Sequence, residues 1–169
     1  MVVTRPDAGH VADRVGHALA LNDVTAREVW ETLTILEPPA AEQAARRRSP
    51  AALARIRAAV DGYAQGRADT AVAGVGEFFR AVADASGNRV LALSQEPLLL
   101  LLAQALGVMI DRAPQARDRI ASAQRRLLAA IEERDAEAAR TWMTKHVRDF
   151  RRGFEVAGID LDTPVPPLA

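Results

Sequence analysis

Apolar residues recur along this chain every three to four positions, and no stretch alternates with a sustained period of two. The pattern predicts helices throughout and no sheet. A first helix is predicted over residues 9–21, with Val11, Val15, Ala18 and Leu19 facing inward, broken by Asn22-Asp23. Thr25 followed by Glu28 reads as a capping box opening a second helix, which turns Val29, Leu33, Leu36 and Ala40 inward. Pro38-Pro39 is expected to interrupt or kink that helix before it resumes through Ala45 to the basic run Arg46-Arg47-Arg48. Ser49-Pro50 places an N-cap residue and a first-turn proline ahead of Leu53, Ile56, Val60 and Tyr63, and Gly66 closes that helix. Asp69 or Thr70 opens the next helix, which runs to about Ala85.

Ser86-Gly87-Asn88 is a turn, with Gly87 suited to a left-handed C-cap and Asn88 to an N-cap. The helix that follows is apolar nearly all round from Leu98 to Leu106, which places it at the centre of a bundle. Pro97 is expected to bend it, and residues 107–114 are expected to break it. A long amphipathic helix then covers 114–134. Asp135 caps a last helix that ends near Val156, where Gly158 and a proline-rich tail stop it. The tail is expected either to lack order or to lie extended along the bundle or a partner. The fold class is therefore all-α, a single antiparallel bundle of six to seven helices. It divides into an N-terminal helix or linker over 1–24, a helical domain over 25–157 and a tail over 158–169.

The chain has 169 residues, 49% of them hydrophobic, enough for one sizeable core. Formal net charge is +0, so charge gives no case for nucleic acid. There is no cysteine, which removes disulfides, thiol nucleophiles and cysteine-based zinc sites. The N-terminus has no continuous apolar h-region. The most apolar stretch, 97–110, is shorter than the roughly 20 residues a membrane span needs and is interrupted by Gln104. A cytoplasmic location without membrane contact is the expectation.

Three stretches, taken in order, carry a resemblance. The first is Val29-Trp30-Glu31 through Leu36-Glu37, followed by Ala44-Ala45 and the Ser49-Pro50 start. The second is Glu77-Phe78-Phe79-Arg80-Ala81-Val82-Ala83-Asp84-Ala85-Ser86-Gly87-Asn88. The third is Leu127-Leu128-Ala129-Ala130-Ile131, then Arg134-Asp135-Ala136-Glu137-Ala138-Ala139, then Met143 and His146. They resemble the FCD domain, the C-terminal sensing domain of the FadR branch of GntR transcriptional regulators, over roughly residues 25–155. The second is similar to that family's E-F-H-R-A-(L/I)-A-x-A-S-G-N, and the third to L-L-x-A-I-x-x-G-D-A-x-x-A ahead of M-x-x-H.

The resemblance implies an effector-binding helical bundle that dimerises, senses a small molecule and acts on DNA through a winged-helix domain. No winged-helix segment is expected within these residues, and the stretch up to Asp23 carries no recognition-helix phrase. Many relatives hold a divalent metal on an Asp and three His. Those positions fall here on Val75, Phe79, Gln124 and His146, so the resemblance implies a site with one histidine left. No metal and no cofactor are expected. An arginine common in the family falls on Leu33, which makes the expected cavity more apolar. Two readings stay open. In one, the cavity takes a more hydrophobic effector, acyl-type among the options, oriented by Gln124 and His146. In the other, Leu33, Val75 and Phe79 fill it and the domain only dimerises.

Other candidates read as structural. His10 and His17 lie on one helix face without a third ligand, Trp30 and Trp142 suit core or interface anchoring, and the arginine run suits a helix C-terminus. Arg125-Arg126 and the basic residues of 148–152 read as solvated faces. No serine, histidine and acid set converges and no phosphate loop is present, so no catalytic residue is assigned. The alternative function is a stand-alone helical binding or dimerisation protein.

Overall fold

The computed structural model describes residues 8–66 and 70–165, apart from the side chains of residues 8–10 and 104. The expected positions of Asp69, the His10 side chain and the last residues of the tail lie outside them. Seven helices follow one another: α1 (Ala8–Ala20), α2 (Ala26–Arg47), α3 (Pro50–Gln65), α4 (Ala71–Ala85), α5 (Arg89–Arg112), α6 (Ala116–Glu132) and α7 (Ala136–Val156). They form one all-α bundle, and the described residues contain no strand beyond a single bridge between Thr25 and Pro164.

The starts follow local chemistry. Thr25 and Glu28 make a reciprocal capping box, Thr25 N–H donating to the Glu28 carboxylate at 2.8 Å and Glu28 N–H to Thr25 Oγ1 at 3.2 Å. Ser49 accepts from Ala52 N–H, Asn88 from Val90 and Leu91, and Asp135 from Ala138. Gly87 takes a φ of +70°, as its turn requires.

Helix α2 is the hub of the bundle, packing on α4, α5, α6 and α7. It is not interrupted at Pro38-Pro39. Each interior proline costs about 3 kcal/mol in an isolated helix. Here Ala40, Ala41, Ala44 and Ala45 are fully buried just beyond them, and packing on four neighbours overrides the local preference. Helix α5 also departs from expectation. It runs on through Gly107 to Arg112, because Met109 and Ile110 are buried on the far side of the expected break. Its bend, of 50°, separates Arg89–Ala103 from Ala105–Arg112 and does not fall at Pro97. Its apolar circumference meets α1, α2 and α4, with lesser contacts on α6 and α7, as expected of a helix packed on several sides.

Helix α1 is turned by about 100° from the face expected, with Leu19 half-buried against the core. Ala12, Gly16 and Ala20 are buried, whereas Val11 and Val15 are exposed. Its main packing partner is α5, and small residues let the two backbones approach. At the other end the tail lies along the bundle: Val165 N–H donates to Val24 O at 2.8 Å, Arg27 N–H to Leu161 O at 2.9 Å, and Leu161 and Val165 are buried. No single helix among the described residues is long and apolar enough to cross a membrane.

The arginine run works as cation chemistry at helix C-termini. Arg48 donates from Nε to Ile131 O (2.8 Å) and from Nη2 to Glu132 O (2.6 Å), capping α6. Arg46 pairs with Glu42, which also holds Arg140.

Candidate functional site

Helical spacing sets one turn of α2 against one face of α4. Leu33 comes from α2, Val75 and Phe79 from consecutive turns of α4, and all three are at most 5% exposed. With Trp30, the leucines of α5 and Val147, Phe150 and Phe154 of α7, they surround a cavity of about 420 Å3. That volume lies within the ~300–1,000 Å3 of small-molecule sites. The cavity is neither sealed nor a shallow surface dip. Leu33, Val75 and Phe79 thus line an open volume.

Among the described side chains two polar ones border it, Trp30 and Arg80. Trp30 Nε1 donates to Val147 O at 2.9 Å. Arg80 donates from Nε to both oxygens of Glu96 at 2.8 Å and from Nη1 to Glu77 at 3.0 Å, and Glu96 holds the guanidinium firmly charged. Gly76 gives this guanidinium room: a Cβ there would sit 3.1 Å from Nη1. The Glu77–Arg80 pair is legible at i, i+3, but Glu96 reaches Arg80 only through the packing of α5 on α4, which no sequence spacing announces.

His146 and Gln124 do not line this cavity. The His146 ring stacks on Phe79 with centroids 5.6 Å apart and planes 8° from parallel, and Phe150 tilts against it at 4.8 Å. On its other side lies a crevice of about 10 Å3 bordered by Arg119 and Asp149. Burial pushes the imidazole down to about 4, and its Nε2 has no hydrogen-bond partner among the described groups. Gln124 is fully buried on α6 with both amide atoms unpartnered.

Sequence reasoning missed two more buried polar groups, Glu37 and Gln95, each with both terminal atoms unpartnered. Burial pushes the Glu37 carboxyl well above the ordinary range. A signal existed for Glu37, which lies one turn beyond Leu33 on the inward face of α2.

The metal expected of many relatives does not fit these residues. Val75 and Phe79 offer no donor atom, and Phe79 lies flat on the one remaining imidazole. Among the described residues no group of three or more His, Cys, Asp or Glu is placed to hold an ion. Trp142 is engaged elsewhere, with the Arg126 guanidinium 4.6 Å and the Lys145 ammonium 4.4 Å from its ring centre.

An all-helical bundle with an apolar cavity between α2, α4, α5 and α7 has the form of a ligand-binding module. The family model of the FCD domain matches residues 28–149, and the chain belongs to that family. Among solved structures, the Streptococcus agalactiae GntR is similar, at 25% identity and a TM-score of 0.61 over 75% of this chain. The chain spans 58% of the length of that protein. No curated protein sequence matches significantly. The FCD identification makes the chain an effector-binding regulatory domain of the GntR type, not a catalytic one.

Proposed function

We propose that this chain is the sensing and dimerisation part of a GntR/FadR-type transcriptional regulator, with a small-molecule effector bound in the cavity between α2, α4, α5 and α7. The observation that carries the reading is the cavity itself, lined by Leu33, Val75 and Phe79, the positions where the family resemblance puts effector-facing and metal-binding groups. Binding without a metal is supported by the donor set, in which hydrocarbon replaces the ligands. His146 acts one layer away, through the Phe79 ring, and Gln124 from the bundle interior. The working form is a cytoplasmic homodimer, and DNA is reached through a winged-helix domain outside these residues. An effector that favours one geometry of the bundle would bias the geometry of two linked DNA-binding domains.

A thermal-shift screen across carboxylates, acyl-CoAs, aromatic acids and uncharged hydrophobic compounds tests this. A specific ligand at 100 times its Kd stabilises by about 2.7 kcal/mol. For a chain of this size that raises Tm by roughly 5–10 °C. Filling the cavity with Val75→Trp should abolish the shift. A flat response to every class would leave the dimerisation-only reading standing.

A further inference from the structure

We infer that the cavity takes an uncharged, largely hydrocarbon molecule and rejects carboxylates and phosphates. The inference rests on the cavity being the effector site and adds the chemistry of the ligand.

An anionic effector needs a free cation or a set of free donors at the site. Among the described side chains the lining has two polar ones, Trp30 and Arg80, and both are committed. The Trp30 indole N–H is given to Val147 O. All three nitrogens of the Arg80 guanidinium face carboxylates, Nε and Nη2 on Glu96 and Nη1 on Glu77. One cation against two anions leaves the cluster with a net negative charge, so it repels a carboxylate. Gly76 keeps the guanidinium close to α4, where a Cβ would crowd Nη1. The buried polar atoms without partners belong to other residues, among them Glu37, Gln95, Gln124 and His146, and none of these lines the cavity. A carboxylate there would be desolvated with nothing to replace its water, whereas a neutral ligand loses only hydrocarbon hydration. Four aromatic rings, Trp30, Phe79, Phe150 and Phe154, favour a flat or ring-containing skeleton.

Matched pairs test this on the full chain: 2-naphthalenemethanol against 2-naphthoate, and methyl decanoate against decanoate below its micellar concentration. Binding is read from Tm and from Trp30 fluorescence in a Trp142→Phe background. The uncharged member of each pair should bind, with its carboxylate at least about tenfold weaker. Glu96→Gln releases Arg80 donors and should narrow that ratio about tenfold or more, without loss of helical circular dichroism. Equal or tighter binding of the carboxylate to the unmodified chain overturns the inference while leaving the effector site in place, and so does a ratio unmoved in a folded Glu96→Gln. Should that variant not fold, the ratio on the unmodified chain decides alone. A Tm rise that leaves Trp30 fluorescence unchanged and survives Val75→Trp overturns the cavity as the site, and silence from both members of both pairs overturns the inference.

Discussion

Glu37 and His146 give the bundle two opposed pH dependences that single substitutions separate. Both side chains are fully buried, and burial is the sole cause of both shifts. The Glu37 carboxyl is pushed well up, so the folded chain keeps a proton that the unfolded chain releases above pH ~4.3. Stability therefore falls as pH rises from there, by about 1.4 kcal/mol per pH unit, until the folded carboxyl ionises. The His146 imidazole is pushed down to about 4, so the folded chain refuses a proton that the unfolded chain takes up below pH ~6.5. Its contribution is fully present above pH ~6.5 and is lost as pH falls to about 4, about 3 kcal/mol in all. Above pH ~4.3 the two slopes oppose each other. In Glu37→Gln the histidine acts alone, and stability relative to the unmodified chain should rise as pH rises above ~4.3, because the variant lacks the carboxyl whose buried proton the unfolded chain releases. In His146→Gln the glutamate acts alone and the slope should reverse. Urea midpoints at half-unit pH steps, read by tryptophan fluorescence, give both differences, and taking differences removes the surface groups common to all three chains. A Glu37→Gln difference that does not vary with pH would refute the reasoning, because Glu37 would then be ionised in the fold.

Two further outcomes follow from backbone positions. A Cβ at Gly153 would run into Met109 Sδ and sit 3.3 Å from its Cγ, so Gly153→Ala should destabilise by about 1–3 kcal/mol despite its better helix propensity, and Met109→Ala should recover part of that loss in the double variant. Arg134 holds a φ of +57° where the family phrase has glycine, so Arg134→Gly should stabilise by up to about 1 kcal/mol in chemical denaturation, less what is lost with its hydrogen bond to Arg46 O. Removing residues 160–169 deletes buried Leu161 and Val165 and should cost about 3 kcal/mol or more by the same measurement.

Features decided within a few residues were legible in the sequence. Thr25 with Glu28, Ser49 with Pro50, Asn88 and Asp135 each satisfy donors of their own helix, so the chain alone specifies them. Leu33, Val75 and Phe79 were legible because their spacing carries the family's pattern. What escaped depends on neighbours distant in sequence. The passage of α2 through Pro38-Pro39 is enforced by four surrounding helices, and the inward turn of Ala12 and Gly16 in place of Val11 and Val15 is set by close approach to α5. The commitment of Arg80 to Glu96 and the cavity beside it arise from how α4, α5 and α7 meet. Periodicity marks Leu98 and Leu102 alike as inward and does not say that Leu102 borders the opening while Leu98 does not.

The contacts of Val165 with Val24 and of Leu161 with Arg27 have a topological consequence. They bring position 165 beside position 24, so α2 to α7 form a ring closed by hydrogen bonds, and α1 hangs outside it on α5. Such a ring can be cut and rejoined: a short linker from 165 to 24, with new termini opened at the exposed Gly87 turn, would give a circular permutant with the bundle and its cavity intact. That permutant leaves out α1 and so uncovers the face of α5 that α1 packs on, and the same ring offers two adjacent sockets, at 24 and at 165, from which a fused domain would emerge at one end of the bundle.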